Sequence, residues 1–165
     1  MADPVVGIVM GSDSDVDVMQ ASWSVLEEFG VAYEVRVLSA HRTPLDALDY
    51  ARSAAGRGLR VLVAGAGGAA HLPGVLAGVT PLPVVGVPVA ATPLAGFDAL
   101  LAIAQMPAGV PVATVAVGGA RNAGLLAVRI LGDGDPALRR AMETFQEELA
   151  LATREKDARV REKFS

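Results

Sequence analysis

A chain of 165 residues is the size of one ordinary domain with a full core. A formal net charge of −4 argues against a nucleic-acid partner, and the absence of cysteine removes any disulfide framework or thiolate zinc site. The start, Met1-Ala2-Asp3-Pro4, runs straight into an apolar stretch without the basic region and cleavage site of a secretory leader, so a cytoplasmic location is expected.

The spacing of apolar residues predicts strands alternating with helices. Val5–Met10 reads as an apolar strand. A helix follows from about Asp15, with Met19, Trp23 and Leu26 on one face and Gly30 as its stop. Ala32–Leu38 alternates Tyr33, Val35 and Val37 with Glu34 and Arg36, which marks a strand with one wetter face near a sheet edge. Thr43-Pro44 reads as the N-cap and first-turn proline of a second helix that stops at Gly56 or Gly58. Leu62–Ala64, Val84–Val87 and Val112–Val117 read as three buried strands, followed by helices near 69–78, 96–105 and 121–131. Asp135-Pro136 caps a last helix, about 136–163, rich in Glu, Lys and Arg and carrying Leu138, Phe145 and Leu149. No linker or repeat interrupts the pattern, so residues 1–165 are expected to form a single α/β domain. The expected architecture is a three-layer αβα, doubly wound parallel sheet with a flavodoxin-like five-stranded core in the order 2-1-3-4-5.

The mean hydropathy is high, +0.43. The excess is local: between Val61 and Ala120 the only formal charge is Asp98. A membrane span is excluded, because Pro73, Pro81, Pro83, Pro88, Pro93 and many glycines break every candidate. The inner strands absorb part of the excess, but the helices between them also lack charge. A helix that is apolar all round needs cover on both faces. A homo-oligomer is therefore expected, with contacts around Leu72–Val79 and Gly96–Gln105.

In an open parallel sheet, ligands bind outside the carboxyl ends of the strands, near the point where the strand order reverses. The loop after the first strand is Gly11-Ser12-Asp13-Ser14-Asp15, whose hydroxyls and backbone N–H groups suit an oxyanion. Simple capping by Ser14 or Asp15 would explain it as well. It is no ATP-type loop, since the lysine that follows the glycines there is missing. The loop after the second strand, Ser39-Ala40-His41-Arg42-Thr43-Pro44, holds one of only two histidines. An imidazole can give and take a proton near neutral pH, and the arginine fork beside it matches phosphate or carboxylate. A solvated surface pair is the plainer alternative. The loop after the third strand, Gly65–Gly74, holds the other histidine, His71, and small residues that admit close backbone approach. Gly65, Gly67 and Ala70 match G-x-G-x-x-A, but after the third strand and without the acidic residue a ribose would need. Glycine used for helix–sheet packing accounts for that match. These loops lack the aromatic residues that would flank a flavin. With no H-E-x-x-H and no third histidine, no metal site is expected.

The same loops carry a family resemblance. Gly11–Asp15, Ser39–Pro44 and Ala64–Gly74, followed in order by Pro83–Pro88, Gln105–Pro111 and Asn122–Leu126, resemble the PurE family of purine biosynthesis over Val6 to Leu131. The family has two branches. One moves a carboxylate from nitrogen to carbon on an aminoimidazole ribonucleotide; the other carboxylates the same imidazole with free carbon dioxide. Arg42-Thr43 and the Ala69-Ala70-His71 loop resemble the first, mutase branch. The resemblance implies His41 as general acid and base and no cofactor. It places Ser12 and Arg42 on the substrate phosphate, Asp15 on the ribose hydroxyls and His71 on the carboxylate or carbon dioxide. Gly11, Ser14, Ser39, Gly67, Gly68, Ala69 and Ala70 complete the substrate-binding set. It also implies a homo-octamer, and leaves open a coupling to the synthetase that makes the carbamate. Val16, Ala99 and Ala102 depart from the family, which often has tryptophan at the first position and serine at the others.

Overall fold

The computed structural model describes residues 3–164. These fall into two compact units, one extending to Val128 and the other beginning at Arg129. The first unit is built on five parallel strands in the order β2-β1-β3-β4-β5: β1 (Val6–Met10), β2 (Tyr33–Val37), β3 (Val61–Gly67), β4 (Val84–Val89) and β5 (Ala113–Thr114). Between them run α1 (Val16–Glu28), α2 (Pro44–Ala54), α3 (Leu72–Ala77) and α4 (Phe97–Ala104), and α5 (Ala120–Gly132) follows β5. This is the doubly wound order expected from the sequence.

The valine-rich runs become inner strands because helices cover both faces of the sheet. Every residue of β1 and β4 is buried. Even-numbered β3 residues Leu62, Ala64 and Ala66 join Ala47, Tyr50 and Ala51 of α2, Leu76 of α3 and Ile103 of α4 in one apolar cluster. On the opposite face Gly65 leaves room for the Met19 side chain of α1, and Gly124 of α5 lies close against Ser22 and Val25 of α1. Two-sided cover of this kind follows from the period-two alternation of a strand. Ala99, where the family often has serine, is fully buried in that first cluster, and Val16 is partly exposed.

The edges behave differently. β2 pairs only with β1 and its last three residues are exposed, so the wetter strand is indeed marginal. The expectation of a buried strand over Val112–Val117 needs correction. Only Ala113 and Thr114 pair with β4, and Ala113 is exposed. An apolar run signals burial only where a neighbour covers both sides, and β5 has a strand on one side alone. The helix expected near 69–78 is also shorter, because Ala70 N–H and His71 N–H bond two residues back, to the carbonyls of Gly68 and Ala69, in tight turns. Thr43 precedes Pro44 as expected but does not cap α2. Its hydroxyl turns back to bond Ser39.

The second unit contains the end of α5 and a long helix, α6 (Pro136–Phe164). The Asp135 carboxylate accepts the N–H groups of Ala137 at 2.9 Å and Leu138 at 3.1 Å, which satisfies two orphan donors of the first turn. Leu149, Leu151, Val160 and Phe164 of α6 are exposed. Among the described residues no helix is long and apolar enough to cross a membrane.

Candidate active site

With β1 lying between β2 and β3, the loops that follow those two strands meet over the carboxyl end of β1. This is the switch point of the sheet, where connections leave for opposite faces. A cleft of about 330 Å³ opens there, lined by Gly11, Asp15, Ser39, Ala40, His41, Arg42, Ala66, Gly67, Ala69 and Leu72. Its volume lies at the small end of the usual range for ligand pockets.

The loop after β1 is organised by Ser12. Its hydroxyl accepts Ser14 N–H at 3.3 Å and the Ser14 hydroxyl at 2.9 Å, starting a single tight turn over Asp13–Asp15. Capping therefore falls to Ser12, where the sequence alone offered Ser14 or Asp15. That turn carries Asp15 inward, where it is buried at 6 % exposure. Burial raises its carboxyl above the ordinary value. Hydrogen bonds from Ser12 and Ser14 and the nearby Arg42 charge pull it back in part.

The loop after β2 is organised by Ser39. Its hydroxyl accepts the backbone N–H groups of His41 at 3.3 Å and Arg42 at 3.1 Å, and the Arg42 side-chain Nε at 3.3 Å. Arg42 Nη2 then reaches across to donate to the Gly11 carbonyl at 2.7 Å. The guanidinium is thus fixed by both loops. Two of its five N–H groups are engaged, which leaves three for an anion.

The two histidines meet. His41 Nε2 and His71 Nδ1 are 2.7 Å apart, with the rings edge-on at 83° and their centroids 4.9 Å apart. A nitrogen–nitrogen hydrogen bond needs one N–H and one lone pair, so these two atoms hold one proton between them. His41 also keeps its second ring nitrogen, Nδ1, outside that bond. A shared, exposed proton beside a fixed cation and a buried carboxyl can serve acid–base chemistry on an anionic substrate. Among the described residues no three His, Cys, Asp or Glu side chains gather as a metal site would require.

The expected residues are distributed as follows. Gly11, Asp15, Ser39, His41, Arg42, Gly67 and Ala69 line the cleft. Ser12 and Ser14 do not line the cleft but form the turn that presents Asp15, and His71 is joined to the cleft through His41. Gly68 takes a left-handed φ of 60°, which glycine adopts without strain. Ala70 is fully buried, so its side chain packs in the core and does not line the cleft. Sequence reasoning missed the direct contact between the histidines, the Arg42–Gly11 bridge, and the walls formed by Ala40 and Leu72; Ala66 belongs to the small-residue loop it had singled out. The expected strand order already held the signal for the first two, since it sets the second and third loops on either side of β1.

A family model described as AIR carboxylase matches residues 5–152. Over 155 residues, 94 % of this chain and 91 % of the relative, the sequence is 62 % identical to a Mycobacterium leprae protein named N5-carboxyaminoimidazole ribonucleotide mutase. It is 58 % identical over 146 residues to a Schizosaccharomyces pombe protein named phosphoribosylaminoimidazole carboxylase, covering 88 % of this chain but 26 % of that longer protein. Among solved structures, the crystal structure of Treponema denticola PurE matches with a TM-score of 0.86 and 29 % identity, covering 94 % of this chain and 98 % of that one.

Proposed function

We propose that this chain, which belongs to the AIR carboxylase family, catalyses the isomerisation of N5-carboxyaminoimidazole ribonucleotide to 4-carboxyaminoimidazole ribonucleotide in purine biosynthesis. The observation that carries the reading is the 2.7 Å contact between His41 Nε2 and His71 Nδ1 at a cleft walled by Ala66, Gly67 and Ala69.

The chemistry follows from what these groups can do. Ser12 and Arg42 hold the phosphate, and Asp15 accepts hydrogen bonds from the ribose hydroxyls. His41 delivers its proton to the exocyclic nitrogen as the nitrogen–carboxyl bond breaks. The electron pair of that bond stays on nitrogen and carbon dioxide is released. The ring carbon next to the amine, enriched by the nitrogen lone pair, attacks the trapped carbon dioxide and forms the carbon–carbon bond. His41 then takes the proton from that carbon and the ring regains aromaticity. One imidazole gives and recovers one proton, so the sequence balances without a cofactor. The rate gain comes from holding the nucleophilic carbon and carbon dioxide in register and preventing escape. His71 fixes the orientation of His41 and faces the carboxylate in transit.

The assembly we infer is a homo-oligomer, an octamer by the family resemblance, of a single catalytic domain acting in the cytoplasm. Leu94, Phe97, Leu101 and Val117 are exposed on or beside α4 in the segment whose only charge is Asp98, which supports a subunit contact there. Around α3 the support is weaker, because Leu72, Pro73 and Leu76 are already buried within the chain. The fungal relatives' name favours one second reading, direct carboxylation of aminoimidazole ribonucleotide by free carbon dioxide. The deciding experiment supplies purified protein with the carbamate substrate alone, without ATP, bicarbonate or added metal. Stoichiometric formation of the 4-carboxy product supports the isomerase; product only when bicarbonate is supplied supports the carboxylase.

A further inference from the structure

Asp98 stands alone as a charge in a stretch of sixty apolar or neutral residues, and the cleft chemistry does not use it. It sits in the first turn of α4, just after the loop that leaves β4. Its Oδ2 accepts the Thr92 hydroxyl at 2.7 Å, and the Thr92 oxygen in turn accepts Leu94 N–H at 3.2 Å. The Thr92 carbonyl accepts Ala95 N–H at 3.0 Å. The other Asp98 oxygen, Oδ1, is buried without a hydrogen-bond partner among the described residues. Two consecutive residues of this loop, Ala95 and Gly96, take left-handed φ values of 51° and 85°. Ala95 is the only described residue other than glycine to do so, and that conformation is unfavourable for a residue with a Cβ. A half-buried carboxylate with one oxygen unsatisfied and a strained alanine are both costs, and they persist only where the surroundings dictate the loop's shape.

What that shape supports is the glycine-rich loop of the cleft. A Cβ on Gly67 would stand 2.6 Å from the Ala91 Cβ and 2.9 Å from the Val89 carbonyl, so the Gly67 backbone packs against the Ala91 methyl and the Val89 carbonyl with no room for a side chain of its own. A Cβ on Gly68 would meet Thr92 Cγ2 at 3.4 Å. The geometry points to Thr92 and Asp98 as positioning residues: their hydrogen bond clasps the loop after β4 against Gly67 and Gly68 and so fixes the small-residue wall that retains carbon dioxide between its release and its recapture. This inference rests on the isomerase reading above. Neither residue touches the substrate in it. Loosening the clasp leaves the proton chemistry intact but opens a path for carbon dioxide to leave.

The test measures partition, the share of turnovers that end as free aminoimidazole ribonucleotide plus carbon dioxide instead of the 4-carboxy product. Being a ratio per turnover, it is unaffected by the amount of folded protein. Thr92→Val, which keeps the shape and removes the hydroxyl, is expected to raise that share by about three- to tenfold, the factor one net hydrogen bond represents. KM should stay near wild type, and Thr92→Ser should restore wild-type partition. Asp98→Ala should leak in the same way, and Asp98→Asn, which keeps an acceptor, should leak less, so the proposal remains testable if Thr92→Val fails to fold. Wild-type partition in Thr92→Val and in Asp98→Ala would overturn the clasp while leaving the isomerase reading intact. Failure of the wild-type protein to isomerise the carbamate would remove both.

Discussion

Replacing Arg42 with lysine preserves the charge and changes only the geometry, which makes it an informative perturbation of the cleft. In the native site Nε is held by Ser39 at 3.3 Å and Nη2 by the Gly11 carbonyl at 2.7 Å, so the guanidinium plane is set before any ligand arrives. Three N–H groups then remain for an anion. A lysine ammonium reaching the same place cannot satisfy Ser39, Gly11 and a phosphate at once, and it presents no planar fork. The loop itself should survive, since the Ser39 hydroxyl still accepts the backbone N–H groups of residues 41 and 42. The expected loss is therefore about one charge-assisted hydrogen bond, roughly 1.5–3 kcal/mol. That corresponds to a fall in kcat/KM of about tenfold to a hundredfold. If Arg42 grips a phosphate remote from the reacting atoms, its contacts are alike in ground and transition states, so the loss should appear in KM with kcat nearly unchanged. Steady-state kinetics on both proteins decide it, together with a substrate analogue lacking the phosphate, on which the two should perform alike. A fall in kcat at constant KM would refute the phosphate assignment and place Arg42 at the carboxylate or beside His41.

His41→Asn should abolish isomerisation and leave ribonucleotide affinity within about tenfold, or ~1.4 kcal/mol; titration calorimetry beside a turnover assay checks both, and near-normal turnover would remove His41 from its role. Asp15 gives a prediction of opposite sign to the usual acidic residue. Burial raises its native pKa above the ordinary 3.8, so between those two values the folded protein binds more protons than the unfolded chain, and stability is lost as pH rises through the window. Asp15→Asn should thus melt no lower than wild type at neutral pH, with any advantage closing as pH falls toward 3.8, while substrate affinity drops. Thermal scans at the two ends of that range, with a binding titration, test it, and a lower melting point at neutral pH would contradict it. Phe97→Glu combined with Leu101→Glu should shift light scattering at micromolar concentration toward smaller species, because both side chains are exposed on α4; an unchanged mass would move the subunit contact elsewhere.

The sheet order was legible because the inner strands are valine-rich runs, the pattern that burial on both faces produces, while the alternation of β2 marked an edge; Val35 and Val37 of β2 nonetheless stay exposed in this chain. The run Val112–Val117 misled because hydropathy records a side chain's preference and not whether this chain supplies a neighbour. Gly11–Asp15 and Ser39–Thr43 were readable as loops, but which side chain organises each was not. Ser12 caps where the sequence suggested Ser14 or Asp15, and Thr43 turns back to Ser39 in place of capping α2. Those choices are settled by local geometry that competes at similar energy. The meeting of His41 with His71, thirty residues apart, depends on β1 lying between β2 and β3, which the sequence pattern suggested, and on how far each loop reaches over β1, which it did not. The clasp at Thr92 and Asp98 has no motif at all. Its one trace in the sequence is a single charge in an otherwise neutral stretch.

In the proposed mechanism one carboxyl carbon moves from nitrogen to ring carbon within a single cleft. The most direct measurement gives the protein a carbamate substrate labelled with carbon-13 in its carboxylate, in the presence of excess unlabelled bicarbonate. The account predicts that nearly all the 4-carboxy product carries the label, because released carbon dioxide is recaptured before it can exchange with the pool. Product carrying unlabelled carbon from the pool would contradict it, and would make this protein a carboxylase of free carbon dioxide.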